Sequence, residues 1–166
     1  MIGIIILITK KIKDKNMTNS SILEKLNLKN KTALVTGASR GLGRRFSTVL
    51  SKMGANVVLA ARNKDKLKET EQIIKNFNGE CITVDIDVNS EESISRAFEK
   101  GENKYGEISI LINNAGIAVS KSSLKTSIED WDNVINTNLR GVFACSKVFA
   151  NNLVKQKKPG KIINIS

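Results

Sequence analysis

Histidine is absent from this sequence of 166 residues, and cysteine, proline, tyrosine and tryptophan are scarce. Without histidine the chain offers no His-based catalytic triad and no histidine ligand for a metal. The two cysteines, Cys81 and Cys145, lie far apart and form no C-x-x-C pair, which disfavours a thiolate zinc site or a disulfide framework. We expect both to be free thiols packed in the interior, and we predict no metal site.

The chain carries a formal net charge of +11 and has a pI of about 9.8. Residues 1–31 contribute +5 of this charge through seven Lys and two acidic residues. The remaining basic residues are mostly scattered Lys, and one Tyr, one Trp and five Phe leave few platforms on which nucleic-acid bases could stack. Solvated surface charge is therefore favoured over a specific nucleic-acid site, although a basic protein that binds nucleic acid or a membrane remains the least favoured alternative.

The amino terminus combines an apolar run at residues 2–8 with four Lys between positions 10 and 15. Seven apolar residues are too few to span a bilayer, and a signal peptide would place its positive charge before the apolar run. We therefore predict no targeting signal, no membrane partner and a cytoplasmic location. Residues 1–25 are interpreted as a frayed tail, or as sequence upstream of a true start at Met17, and the domain as residues 26–166.

Beyond Lys31, short apolar runs rich in β-branched residues alternate with longer amphipathic stretches, which is typical of βα units on a parallel sheet. The pattern predicts an α/β, three-layer Rossmann fold with strand order 3-2-1-4-5, truncated after strand five. Leu67, Ile73 and Ile74 are expected on the inward face of the second helix, and Asn89 or Ser90 can cap the third. Strands are predicted at 32–36, 56–60, 81–84, 108–112 and 161–165, and helices at 41–52, 64–76, about 90–104 and about 129–156, the last with a bend near Gly141.

A glycine-rich segment, T-G-A-S-R-G-L-G at residues 36–43, lies between the first predicted strand and the first helix. Glycines in this context permit a tight turn and let backbone amides approach a pyrophosphate at a helix N-terminus. Ser39 either bonds a phosphate through its hydroxyl or stabilises the turn. The segment lacks the Gly-Lys-Ser/Thr ending of a P-loop, which disfavours nucleoside triphosphate hydrolysis.

This segment matches the T-G-x-x-x-G-x-G signature of the short-chain dehydrogenase/reductase family, which the chain resembles over about residues 26–166. Three further family motifs follow in order: Asp87-Val88, the N-N-A-G run at 113–116, and the N-L-R-G run at 138–141. Read from the residues alone, Asp87 could merely precede a helix cap, and the two asparagines could form an ordinary turn. The resemblance implies a cofactor-binding set of Gly37, Ser39, Arg40, Gly41, Leu42, Gly43, Arg62, Asp87, Val88, Asn114, Ala115 and Gly116, with Asn138 as a catalytic residue.

The choice of cofactor can be argued from charge at the end of the second strand. An acidic residue there would bond the ribose 2′-hydroxyl of NAD and repel a 2′-phosphate, but the position holds Ala61. Arg62 follows it and Arg40 lies within the glycine-rich segment, so two guanidinium groups could converge on a 2′-phosphate. NADP(H) is therefore the predicted cofactor, with NAD(H) as the alternative.

The family's catalytic Tyr and Lys, spaced Y-x-x-x-K, are not found in these 166 residues. The single tyrosine, Tyr105, is followed four positions later by Ser109, and Ser166 aligns at or just before the family's catalytic serine. The resemblance implies an NADP(H)-dependent oxidoreductase that interconverts an alcohol and a carbonyl, similar to 3-oxoacyl-thioester reductases and gluconate 5-dehydrogenase-like enzymes. We expect the chain to be an amino-terminal part of such an enzyme, inactive alone, whose full-length form is a homodimer or homotetramer; a non-catalytic dinucleotide-binding module is the alternative.

Overall fold

The computed structural model describes residues 26–166. The strands are β1 (Thr32–Thr36), β2 (Asn56–Ala61), β3 (Cys81–Asp85), β4 (Ile110–Asn113) and β5 (Lys161–Asn164). They form one parallel sheet in the order β3-β2-β1-β4-β5, which confirms the predicted α/β Rossmann sheet and its strand order. The predictions for residues 1–25 lie outside the described part of the chain.

The helices follow the predicted alternation. They are α1 (Gly41–Lys52), α2 (Lys64–Lys75), α3 (Glu91–Tyr105), α4 (Ile128–Ile135) and α5 (Gly141–Gln156), with a short 3-10 turn at Ser123–Lys125 and a π-helical turn at Asn136–Arg140. Ser90 caps α3 by accepting a hydrogen bond from the Ser93 backbone N–H at 3.2 Å. Asn63 caps α2 in the same way, because its side chain accepts from the Lys66 N–H at 2.9 Å.

Two hydrophobic cores lie on opposite faces of the sheet. Leu34 of β1 belongs to the core that also holds Phe98 of α3 and Phe149 of α5. The flanking strand residues Ala33 and Val35 belong to the other core, beneath α1 and α2. Because successive residues of a strand point to opposite faces, β1 feeds both cores, and the sheet forms the middle of three layers.

Three predictions about individual elements were wrong in detail. Leu67 and Ile74 of α2 are buried, but Ile73 is 38% exposed, because neighbouring helical residues point about 100° apart. The fourth strand begins at Ile110 opposite Ala33, so Ile108 is a buried core residue ahead of the strand. The long helix predicted at 129–156 is divided by the π-helical turn, which ends directly before Gly141, where the bend was expected.

Within residues 26–166, no helix has the length and apolar character needed to cross a bilayer.

Candidate functional site

An open cleft of about 540 Å³ lies at the carboxyl ends of β1, β2, β3 and β4. Its volume is within the usual range for a small-molecule site, and the crevice outside the carboxyl ends is where open α/β sheets bind their ligands. Eleven of the residues singled out from the sequence line it: Gly37, Ser39, Arg40, Gly41, Leu42, Arg62, Asp87, Val88, Asn114, Ala115 and Gly116.

Two glycines allow the segment after β1 to pack tightly against the segment after β4. Gly37 has a φ of +67°, and a Cβ at this position would lie 2.8 Å from Asn114 Nδ2 and 2.9 Å from Ala115 Cα. A Cβ at Gly43 would collide with the Gly37 carbonyl oxygen. Gly43 is buried behind the cleft rather than lining it, so its role is packing of α1 against the turn.

Thr36 and Asn114 fasten the ends of β1 and β4 together. The buried Thr36 hydroxyl oxygen accepts hydrogen bonds from the backbone N–H groups of Asn114 and Ala115, each at 3.0 Å. The Asn114 side chain returns a bond from Nδ2 to the Thr36 carbonyl oxygen, also at 3.0 Å. These reciprocal contacts fix the floor of the cleft where the two strands end.

The lining carries three basic side chains, Arg40, Arg62 and Lys66, against one acidic side chain, Asp87. All three cations are exposed, and within residues 26–166 none of them forms a salt bridge. Their charges are therefore available to a ligand rather than consumed by internal acids. The arrangement suits an anionic group near the end of β2, where Ala61 carries no negative charge that would repel it.

Asp87 begins the segment that follows β3. One of its carboxylate oxygens, Oδ1, accepts from the Asn89 backbone N–H at 3.0 Å, and its own N–H donates to Ser93 Oγ at 2.9 Å. This local turn holds the carboxylate at the edge of the cleft, and its second oxygen, Oδ2, takes no part in the turn. The Asp87 side chain thus stabilises its own loop and also lines the cleft, so the two interpretations of this residue are compatible.

Asn138 does not line the cleft but contacts Ile117, which does. Its Oδ1 accepts from the Ile117 N–H and its Nδ2 donates to the Ile117 carbonyl oxygen, both at 2.9 Å. Since a side-chain amide has two donor hydrogens and two acceptor lone pairs, one of each remains for a water or a ligand. The π-helical turn that carries Asn138 is a type of irregularity frequently found at functional sites.

Seven lining residues were not among the predicted site residues: Ala61, Asn63, Lys66, Ile86, Asn89, Ile117 and Thr137. Lys66 had a detectable signal, because it is a basic residue in the first turn of the helix that follows Arg62. Asn89 and Thr137 had none, since their contact, Nδ2 to Oγ1 at 3.4 Å, joins segments that are 48 residues apart.

Other reactive side chains lie away from this cleft. Both cysteines are free and buried, as predicted, and burial raises the pKa of the Cys145 thiol to about 12. Tyr105 ends α3 and precedes β4, which places it toward the amino ends of the strands, away from the cleft. Desolvation raises the pKa of its hydroxyl to about 12. Within residues 26–166, no cluster of three carboxylate or thiol groups is arranged to hold a metal ion.

Comparison with known proteins agrees with this geometry. The sequence model for the family described as short chain dehydrogenase matches residues 31–166. A 3β-hydroxysteroid dehydrogenase from Eggerthella lenta is 38% identical over 140 residues, covering 84% of this chain and 54% of that protein. A 3-oxoacyl-acyl-carrier-protein reductase from Aquifex aeolicus is 36% identical over 142 residues, covering 85% and 57%. The chain thus spans little more than half the length of these relatives.

Solved structures give the same result. A short-chain type dehydrogenase/reductase from Mycobacterium marinum superposes with a TM-score of 0.84 at 30% identity, covering 87% of this chain and 58% of that one. A short chain dehydrogenase from Bacillus anthracis superposes with a TM-score of 0.79 at 36% identity, covering 82% and 57%.

Proposed function

Because the chain belongs to the short-chain dehydrogenase family, we propose that it forms the dinucleotide-binding part of an NADP(H)-dependent oxidoreductase that interconverts an alcohol and a carbonyl. The observation that carries the proposal is the trio of uncompensated cations, Arg40, Arg62 and Lys66, in a cleft at a helix N-terminus. The small-molecule substrate is a carbonyl compound or the corresponding alcohol.

The residues present fit a nicotinamide dinucleotide. Gly37 lets the segments after β1 and β4 pack closely at the floor of the cleft, and α1 begins at Gly41 on the cleft wall. The N-terminus of a helix favours phosphate because its first N–H groups are unpaired and its dipole is positive there. When bound, such a cofactor supplies or accepts a hydride at its nicotinamide ring.

The other cofactor contacts are proposed from the resemblance to the family. Ser39, Gly41 and Leu42 would hold the diphosphate, since they surround the start of α1. Asp87 and Val88, after β3, would contact the adenine. Asn114, Ala115 and Gly116, after β4, would hold the ribose nearer to the nicotinamide.

Preference for NADP(H) over NAD(H) rests on charge at the end of β2. Ala61 is 7% exposed and carries no carboxylate that would repel a 2′-phosphate. Arg40 and Arg62 line the same cleft, and guanidinium groups form charge-assisted, often bidentate bonds with phosphate. Lys66 adds a third positive charge on the first turn of α2.

We propose a positioning and proton-relay role for Asn138. Its two bonds to Ile117 fix the side-chain amide in one orientation, and its remaining donor and acceptor can hold a water near the end of the cleft. A held water would carry a proton between solvent and the reacting oxygen.

The proton donor itself is proposed to lie outside these 166 residues. Reduction of a carbonyl develops negative charge on oxygen, and an unpositioned acid forfeits about 10²- to 10⁴-fold in rate. Tyr105 cannot supply this proton, because it lies away from the cleft and its raised pKa disfavours ionisation. The 166 residues alone are therefore expected to bind the cofactor without turnover, which is also the behaviour of the second candidate, a non-catalytic dinucleotide-binding module.

A cytoplasmic location and assembly into a homodimer or homotetramer are proposed for the full-length enzyme. Support for assembly comes from apolar side chains on the surface of the helical segment 136–156. Leu139, Phe143 and Val154 are 64%, 66% and 75% exposed, and exposed apolar groups gathered on one segment can form a contact between subunits.

Affinity for NADPH and NADH, measured by calorimetry at one ionic strength, tests the cofactor proposal. The wild-type chain is expected to bind NADPH more tightly than NADH. Replacing Arg40 and Arg62 by Met in one variant should weaken NADPH binding about 100-fold, because each lost charge-assisted bond is worth about tenfold or more. NADH binding should change less than about threefold.

The matched control replaces Arg45 and Arg96 by Met. It removes the same two charges from exposed positions that do not line the cleft. If the control weakens NADPH binding as strongly, the effect is one of net charge and the assignment of Arg40 and Arg62 fails. If the folded wild-type chain binds neither nucleotide, the proposed cofactor role itself is wrong.

A further inference from the structure

Arg44, which no part of the proposed function uses, joins the glycine-rich turn to α2 through a single guanidinium group. Its Nη2 donates to the Ser39 carbonyl oxygen at 2.8 Å and to Glu69 Oε2 at 2.7 Å, and its Nε donates to Thr70 Oγ1 at 3.0 Å. The Arg44 side chain is 29% exposed. Three bonds from one planar fork hold it in one orientation.

Thr70 extends the same linkage. It is fully buried in α2, and its hydroxyl lies 3.1 Å from the Ala38 carbonyl oxygen and 3.2 Å from the Lys66 carbonyl oxygen. Arg44 and Thr70 therefore hold two successive carbonyl groups of the turn, those of Ala38 and Ser39.

Holding these two carbonyl groups also orients two N–H groups. A trans peptide is planar, so its C=O and N–H bonds point in opposite directions, and the described residues contain no cis peptide. The N–H groups of Ser39 and Arg40 therefore point away from Arg44 and Thr70. Neither N–H donates to another residue of the described chain, which leaves both available to an anion.

Arg44 does not itself provide an anion site. It is absent from the cleft lining, and its charge is compensated by Glu69 at 2.7 Å. Its influence on a ligand must therefore pass through the turn that carries Ser39 and Arg40.

We propose that Arg44 is a positioning residue that, together with Thr70, holds the Ser39–Arg40 turn in the conformation that receives the phosphate groups of the dinucleotide. The inference rests on the proposed function, because it assumes that the cleft binds a phosphorylated nucleotide. Without the contacts of Arg44 and Thr70, the phosphate-binding N–H groups and the Arg40 side chain become mobile. The ligand must then order them when it binds.

The experiment compares the 166-residue chain with its Arg44→Met variant by NMR titration, using 2′,5′-ADP and adenosine as probes. Arg44→Met should weaken 2′,5′-ADP binding about tenfold, because the ligand must then order the turn that Arg44 held in place. Adenosine, which lacks phosphates, should bind both proteins equally. A merely structural defect would lower the affinity for both probes alike.

Arg45→Met is the matched control, since Arg45 is the neighbouring, exposed cation on the same helix. It should change 2′,5′-ADP affinity less than about threefold. Arg44→Lys, which keeps the charge but not the planar fork, should recover part of the loss. Thr70→Val removes the hydrogen bonds of the Thr70 hydroxyl without changing the net charge. It provides the test of the positioning role if Arg44→Met does not fold.

The outcomes separate the inference from the function on which it rests. If the wild-type chain binds 2′,5′-ADP and the folded Arg44 and Thr70 variants bind it within threefold as tightly, the positioning role is wrong while the cofactor role stands. Equal losses for adenosine and 2′,5′-ADP would also overturn it. A folded wild-type chain that binds neither 2′,5′-ADP nor NADPH would overturn the cofactor role first, and this inference with it.

Discussion

Replacement of Thr36 by Val should weaken both the fold and the cleft, because one buried hydroxyl serves three backbone groups. Its oxygen accepts from the N–H groups of Asn114 and Ala115 at 3.0 Å each, and its O–H group donates to the Ile112 carbonyl oxygen at 3.3 Å. Valine has nearly the same shape, so the substitution removes the bonds without opening a cavity. Thr36 itself is only 1% exposed, so water cannot readily replace the lost partner.

The cost can be worked from these bonds. Leaving a buried donor without a partner costs about 1–3 kcal/mol, and two such donors make a loss of about 3 kcal/mol in the free energy of unfolding. For a chain of this size that corresponds to a fall in Tm of about 6–12 °C. Thr36→Ser keeps the hydroxyl and loses one methyl group, which costs about 1 kcal/mol.

Urea unfolding followed by far-UV circular dichroism measures both variants, and calorimetric titration with NADPH gives a second readout. Thr36→Val should be about 2 kcal/mol less stable than Thr36→Ser and should bind NADPH less tightly, because Asn114 and Ala115 lose their anchor. Equal stability of the two variants would refute the reasoning, since it would mean that the hydrogen bonds of the hydroxyl add nothing to the free energy of unfolding.

Two further predictions concern packing and pH. Gly43→Ala should lower NADPH affinity at least tenfold and destabilise the chain by about 2 kcal/mol, because the new Cβ would strike the Gly37 carbonyl oxygen and lie 2.5 Å from Asn114 Nδ2; unchanged calorimetric binding would contradict this. Burial raises the pKa of the Cys145 thiol from its ordinary 9.0 to about 12, so its contribution to stability is fully present below pH 9 and is lost as the pH rises toward 12. Urea unfolding at pH 8 and pH 10.5 should therefore show a fall in stability that is smaller in Cys145→Ala.

Most of the fold could be predicted from the sequence because local pattern and tertiary burial agree in this chain. Strands β1, β2 and β4 are short runs buried on both faces, such as Ala33, Leu34 and Val35, and such runs are recognisable without knowledge of their partners. The ends of elements were less predictable. Ile108 is apolar and buried like a strand residue, yet only the register with β1 determines that the ladder starts at Ile110.

The site divides in the same way. Residues within one segment, such as Gly37 and Arg40, could be predicted, because the glycine spacing and its position between strand and helix carry the information. Arg44 lies one residue beyond that signature, but its partners Ser39, Glu69 and Thr70 are brought together only by the packing of α1 against α2. No single-segment pattern predicts a contact of this kind.

The π-helical turn at Asn136–Arg140 can be explained by its hydrogen bonds to two different loops. Thr137 and Arg140 contact Asn89 of the loop after β3, through its Nδ2 at 3.4 Å and its carbonyl oxygen at 3.2 Å. Asn138 instead contacts Ile117 of the loop after β4 at 2.9 Å. Neighbouring positions of one helix thus bind two different loops of the same cleft. Widening the helix for one turn adds a residue to that turn, so the segment can contact both loops without ending the helix. The irregular turn therefore ties the loop proposed to hold adenine to the residue proposed to hold the relay water.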